Sequence, residues 1–190
     1  MSRHIGYLFI APTFVILFFT SIYPVAFSFY FSFFDWNWGN QENFIGLDNY
    51  LFLLTDPEFW TVIYNTFVFA SVSCFLEVTI GIILAIFVDR IVFCSTIIRT
   101  ILILPLMVSG IIVSMISKIM FNNLFGVIPY GLKQIDIRSS FFGSTEAAMP
   151  TLIGVDVWWQ TSFVFIIILS ALQGIPNDTV EAAKIDGASE

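Results

Sequence analysis

Few side chains in this sequence are equipped for chemistry, and their spacing decides which chemistry is open to them. The single histidine, His4, has no second histidine with which to build a metal site, so neither a Ser-His-Asp relay nor a His-rich metal centre is supported. Cys74 and Cys94 are the only cysteines. Each sits in or beside an apolar run and reads as a small packing residue rather than half of a disulfide or metal pair. No G-x-x-x-x-G-K-[ST] occurs, so the chain has no phosphate-cradling loop with which to bind ATP by itself. H-E-x-x-H and C-x-x-C are also absent. Two acids, Glu77 and Asp156, fall within or near apolar runs, and an ionisable residue in a membrane segment is a functional candidate by default. A retaining glycosidase uses two carboxylates, but here one lies in the middle of a run and the other near the start of a different one. The plainer reading gives Glu77 a polar partner inside a helical bundle and puts Asp156 at an interface. No catalytic residue, metal or cofactor is expected.

A second chemical signal lies at the C-terminal end, from Gln173 to Glu190. Pro176 stops the preceding apolar helix. Asp178 and Glu181 have capping-box spacing, and acids suit the positive end of a helix dipole. Glu181-Ala182-Ala183-Lys184-Ile185 are good helix formers, and Gly187 supplies a reversal or C-cap. A short helix with a small-residue face results, and alanine there lets a partner surface approach the backbone closely.

The elements that carry these residues are made for lipid. Of 190 residues, 58% are hydrophobic and only 11% charged, less than half the roughly 25% of a soluble domain. A formal charge of −7 argues against nucleic acid as a partner. A bilayer core needs about 20 apolar residues per helix, and four such stretches occur: Ile5 to Phe34, Thr61 to Val88, Thr100 to Met120 and Thr151 to Leu172. Pro12 and Pro24 are expected to kink the first or mark its ends, and the third contains Pro105. The first is too long for a signal-peptide core and reads as retained. Small residues recur four apart at Gly81/Ala85, Gly110/Ser114 and Ser170/Gly174, a spacing that permits close helix contact. Arg3, Arg90 and Arg99 flank one side of these spans. The segment Asp35 to Trp60 holds five acids and no Lys or Arg, so the N-terminus and the Arg90–Arg99 connection are expected in the cytoplasm. Lys133 and Arg138, in the other external connection, run against this bias, and Lys118 is a candidate for snorkelling at a helix end. Gln173 to Glu190 is then cytoplasmic.

With these positions in hand, Glu181-Ala182-Ala183-x-x-Asp186-Gly187-Ala188 resembles the cytoplasmic signature loop of ABC importer permeases. Tyr23-Pro24 with Ser32-Phe33-Phe34-Asp35-Trp36 resembles the first helix and exit of the subgroup serving sugars and glycerol phosphate. The stretch Phe44-Ile45-Gly46-Leu47-Asp48-Asn49-Tyr50, with Asp56-Pro57-x-Phe59-Trp60 and Asn65-Thr66, is similar to that subgroup's first external segment. Leu104-Pro105, Phe121-Asn122, Gly126, Val155-Asp156-Val157-Trp158 and Leu172-Gln173-x-Ile175-Pro176 follow in the expected order.

The resemblance implies an all-α polytopic bundle, a type I ABC importer transmembrane domain with four transmembrane helices and a short cytoplasmic coupling helix. Residues 1–60 would be an N-terminal helix and external segment, and 61–190 the transmembrane domain, incomplete at its C-terminus because family members continue past the signature with further helices. It also implies cytoplasmic ABC ATPase subunits, a second permease subunit and an extracytoplasmic solute-binding protein as partners. ATP hydrolysis would fall to the separate ATPase, and solute would move by alternating access. Glu181, Ala182, Ala183, Asp186 and Gly187 would form the ATPase-coupling loop. The solute would be a sugar, oligosaccharide or glycerol phosphate, with its contact residues unknown; Trp158 and Trp159 are open to sugar stacking or to interfacial anchoring. A chain that ends inside the loop is also compatible with a truncated remnant or assembly subunit that transports nothing.

Overall fold

The computed structural model describes residues 3–37, 43–91, 95–135 and 141–187. The chain divides into two compact units, Met1–Tyr64 and Asn65–Glu190.

In the first unit, α1 (Arg3–Leu17) runs into α2 (Tyr23–Phe31) through a wider π-helical turn, Phe18–Ile22. Pro24 is the cause, since it has no N–H to return to the preceding turn. The N–H of Tyr23 closes on the Phe18 carbonyl five residues back, and Thr20 donates its Oγ1 hydroxyl to the Ile16 carbonyl at 2.8 Å. The proline therefore widens the helix rather than ending it, and Pro12 is carried inside α1. Phe9–Phe31 forms one apolar stretch of 23 residues with none buried, about 35 Å long and enough to cross the hydrocarbon core.

Beyond α2 the chain folds back on itself. Phe34–Asp35 pairs antiparallel with Asn43–Phe44. The Phe33 carbonyl accepts from the N–H groups of Ile45 and Gly46 at 2.9 and 3.1 Å, with Gly46 at φ +64°, a conformation open to glycine without a Cβ clash. Asn49 donates to the Ser32 and Phe34 carbonyls at 2.9 and 3.1 Å, and the Tyr50 hydroxyl meets Ser32 Oγ at 2.6 Å. A short helix, α3 (Asp48–Thr55), leads to α4 (Pro57–Arg90). Asp56 Oδ1 accepts from the Glu58 N–H at 2.9 Å, and Pro57 takes the first helical position, where a missing N–H costs nothing. Trp60 donates its indole N–H to the Leu54 carbonyl at 2.9 Å. The sequence islands around Gly46 and Asp56 are thus the pins of one turn-rich segment.

The second unit is organised by α4 and the last long helix, α8 (Thr145–Gln173), which Ser144 caps by accepting from the Ala147 N–H at 3.3 Å. The two lie side by side and run in the same direction. Gly81 abuts Val164 and Phe165, and further along both helices Ala85 and Val88 pack with Phe165 and Leu169. Ser73, Gly81, Ala85 and Val88 form the buried stripe of α4. At Gly81 an added methyl would fall 2.7 Å from Val164 Cγ1, so the Gly81/Ala85 pair does allow close approach. At 34 residues, α4 is about 51 Å long and must project beyond a 30 Å core or tilt within it.

The third expected span differs from a straight rod. α5 (Ser95–Ile103) passes into a tight 3₁₀ turn, Leu104–Met107, and α6 (Gly110–Met120) leaves at 92°. Val108 and Ser109 between them are extended, with ψ of 130° and 140°. Pro105 lacks the N–H that would continue the α-helical ladder, and the turn tightens instead. Among the described residues, three helices are long and apolar enough to cross a membrane, or four if the bent pair is one crossing. After α6, Asn122 Oδ1 accepts from the Leu124 N–H at 2.9 Å. Gly126 is hemmed by the Asn122 and Met120 carbonyls with no room for a Cβ, and α7 (Val127–Lys133) follows.

Candidate functional site

The signature segment is set one elbow beyond the last span. The Gly174 N–H returns to the Ser170 carbonyl at 3.1 Å and the Ile175 N–H to Leu172 at 3.3 Å, which finishes α8. The Thr179 N–H then reaches the Pro176 carbonyl at 3.1 Å and opens α9 (Asn177–Ile185). The helix starts before Asp178, so that residue lies in the first turn rather than at the cap, still beside the positive end of the dipole. The Asp186 N–H closes on the Ala182 carbonyl at 3.0 Å, and Gly187 turns the chain at φ +85°. Glu181, Ala182, Ala183, Asp186 and Gly187 are all exposed. Ala188 lies outside the described residues. Ile185 is 86% exposed and, three residues on, shares a face with Ala182. It was not singled out from the sequence, although an apolar side chain among small and polar ones was the available signal.

At the foot of α8 a second polar contact appears. With its amide oxygen turned toward the guanidinium of Arg99, Gln173 accepts from Nη1 at 3.1 Å and Nη2 at 2.7 Å. Arg99 Nε is buried with no partner among the described residues. Ile98 and Leu102, on the same helix α5, pack against the Ala85, Val88, Phe165 and Leu169 core.

Within the spans, the structure brings Glu77 and Asp156 together across the α4–α8 contact, their side chains within hydrogen-bonding reach. Asp156 is therefore the polar neighbour of Glu77, not an isolated interfacial acid. Among the described residues, no partner meets the buried Glu77 Oε1, nor the hydroxyls of Ser73, one turn before it, and of Thr161. These oxygens are hydrogen-bonding groups at membrane depth, where unmatched polar atoms are costly.

The two tryptophans divide their roles. Trp159 donates its indole N–H to the Val108 carbonyl at 3.1 Å, at the break of the third span. Trp158 instead lines a cavity of about 770 Å³ walled mostly by apolar side chains, Val113, Ile116, Met120, Phe141 and Val155 among them. Cys74 is free and exposed, and Cys94 lies outside the described residues.

Long apolar helices, one of them broken, with a small helix presented past the last, define a polytopic α-helical membrane protein. Residues 77–190 match the model of the family described as binding-protein-dependent transport system inner membrane component. The chain belongs to that family. It is 35% identical over 183 residues to the probable starch degradation products transport system permease protein of Thermoanaerobacterium thermosulfurigenes, covering 96% of this chain and 62% of that protein. It is 32% identical over 187 residues to the trehalose/maltose transport system permease protein of Thermococcus litoralis, covering 97% and 63%. Similarity to the sn-glycerol-3-phosphate transport system permease protein of Yersinia enterocolitica is 32% over 150 residues, covering 79% and 51%. The chain thus spans somewhat over half the length of these relatives. In fold it is similar to a chain of a bacterial ABC transporter involved in the import of the acidic polysaccharide alginate, with a TM-score of 0.81 at 24% identity, covering 97% of this chain and 63% of that one.

Proposed function

We propose that this chain is the permease part of an ATP-driven importer that moves a sugar or related small solute across the inner membrane by alternating access. The N-terminus, the Arg90–Arg99 connection and α9 face the cytoplasm, and the connections Asp35–Trp60 and Asn122–Pro150 face outward, in keeping with the Lys/Arg bias. Residues 1–60 form the N-terminal helix and external segment, and 61–190 belong to the transmembrane domain. Solute arrives on an extracytoplasmic binding protein, a second permease subunit completes the path, and a separate cytoplasmic ATPase supplies the energy.

One observation carries this reading: α9 stands clear of the bundle on a hydrogen-bonded elbow, with Ala182, Ala183 and Ile185 exposed and Gly187 at positive φ. An exposed apolar residue beside small ones suits insertion into a groove on a partner. Glu181 and Asp186 supply charge or hydrogen bonds to that groove, while the alanines permit backbone approach. Relatives named for starch degradation products, trehalose/maltose and sn-glycerol-3-phosphate support the solute class. The test uses vesicles holding the assembled transporter with Ala183→Cys and a cysteine in the ATPase groove. A bifunctional thiol reagent is expected to link the two chains, and oligosaccharide uptake is expected to require both ATP and the binding protein. Uptake that persists without the ATPase, or a permease that never links to it, overturns the proposal.

A further inference from the structure

We infer that Arg99 is a positioning residue that ties the coupling segment to the break in the third span, so that displacement of α9 is delivered to α6 through α5. The inference rests on the proposed docking of α9 on an ATPase. Between Gln173 and the start of α9 lie only Gly174, Ile175 and Pro176, each engaged in a backbone hydrogen bond. A connection this short, with every residue in a backbone hydrogen bond, passes a movement of α9 on to the foot of α8. There Gln173 accepts from both Nη atoms of Arg99 at 3.1 and 2.7 Å. Among the described residues the buried Arg99 Nε has no acceptor, and the guanidinium is held through its two Nη groups by Gln173. A planar two-point grip of this kind fixes direction as well as distance, which a single-point lysine contact does not.

The same broken span is held a second time. At the bend, the Val108 carbonyl accepts from the Trp159 indole N–H at 3.1 Å, about 21 Å up α8 from Gln173 at 1.5 Å per residue. α8 is therefore fastened to the third span before its 92° bend, by Gln173–Arg99, and at it, by Trp159–Val108, with the Trp159 ring set against Gly110 at the start of α6. A shift at the foot of α8 pulls on α5 while the upper fastening holds the start of α6, and the extended Val108–Ser109 link is where the angle changes. A few residues with non-helical dihedrals at an element boundary are the usual site of such rotation.

The test uses the complete importer, with the full-length permease and its ATPase in proteoliposomes, and reads ATP hydrolysed per solute imported. Arg99→Met and Gln173→Leu are each expected to raise that ratio at least about threefold, within the range by which coupling networks are altered by mutation. The double variant should be no worse than either single one, and Gln173→Glu, whose carboxylate still offers acceptor oxygen to both Nη groups of the guanidinium, should retain coupling. ATPase co-purification and the Ala183→Cys cross-link should stay intact. A merely structural Arg99 would lower the melting temperature and leave the ratio unmoved, which overturns the inference, as do independent, multiplying effects of the two changes. Loss of the Ala183 cross-link in the otherwise unmodified complex overturns the docking reading and this inference together. An intact cross-link with an unchanged ratio overturns this inference alone.

Discussion

Trp159 donates its indole N–H to the carbonyl of Val108, 51 residues earlier in the chain, and its ring lies 2.9 Å from the point a Cβ on Gly110 would occupy. The break in the third span is thereby matched on both counts. The carbonyl freed by the bend has a donor, and the first residue of α6 has no side chain to hold the ring away. Trp159→Phe keeps the ring and removes the N–H. In detergent it is expected to destabilise the fold by about 1–2 kcal/mol, the cost of stranding one acceptor, seen as a lowered melting temperature. Gly110→Val should cost at least as much by displacing the indole. Unchanged melting for both variants would mean that the bend is set by Pro105 without help from α8.

Gly81 tests the parallel contact of α4 and α8. Alanine there would place its methyl 2.7 Å from Val164 Cγ1 and 3.3 Å from the Phe165 backbone nitrogen, so one of the helices must give. Overpacking of a tight contact costs about 1–3 kcal/mol. Gly81→Ala should lower thermal stability, Gly81→Val should lower it further, and Val164→Ala should partly restore the Ala variant by vacating the contested space. A rescue that fails points to a different origin for the loss.

The membrane acids make a third case. The side chains of Glu77 and Asp156 interact across α4 and α8, so the partner left behind by a substitution matters as much as the residue removed. Glu77→Gln retains shape and can donate an amide N–H to Asp156, and it should keep or raise the melting temperature. Glu77→Leu strips the hydrogen bonding and leaves Asp156 facing an apolar side chain, which should destabilise by about 1–3 kcal/mol. The comparison is a thermal melt of both variants with Asp156→Asn as the reciprocal control. Equal effects of Gln and Leu would show that the two acids do not sense each other.

These cases mark how far the sequence is readable. The long apolar runs are legible because lipid imposes one requirement on every residue of a span, and the four stretches coincide with α1–α2, α4, the α5–α6 pair and α8. The resemblance islands around Gly46 and Asp56 are legible as motifs, although their roles in holding one turn-rich segment emerge only from hydrogen bonds to Phe33 and Glu58. The 92° bend is not legible from Pro105 alone. Membrane helices tolerate proline when neighbours re-satisfy the backbone, and the neighbour here is a tryptophan far along the chain. The meeting of Glu77 with Asp156 likewise depends on two helices running the same way, which the helix count allows but does not register. In the sequence Ile185 reads only as a helix former, because the alanines and the glycine near it carry the recognisable pattern.

Ile185 gives the last prediction. On α9 it is 86% exposed, and under the proposed docking this apolar side chain, one turn from Ala182, would enter a pocket on the ATPase. Full burial of an isoleucine contributes about 1.5–3 kcal/mol, so Ile185→Asp should weaken ATPase binding to the assembled permease by at least about tenfold. Ala183→Trp should act by obstruction and lower affinity similarly. Gly187→Val adds a Cβ at φ +85°, where L side chains are strained, and should misdirect the chain leaving the helix. Membrane insertion should be normal in all three, because the positions lie beyond the last span. Binding is measured by titrating purified ATPase against permease in nanodiscs, with solute-stimulated hydrolysis followed in parallel. Full affinity and full stimulation in the Ile185 and Ala183 variants would place the ATPase contact elsewhere on the cytoplasmic face.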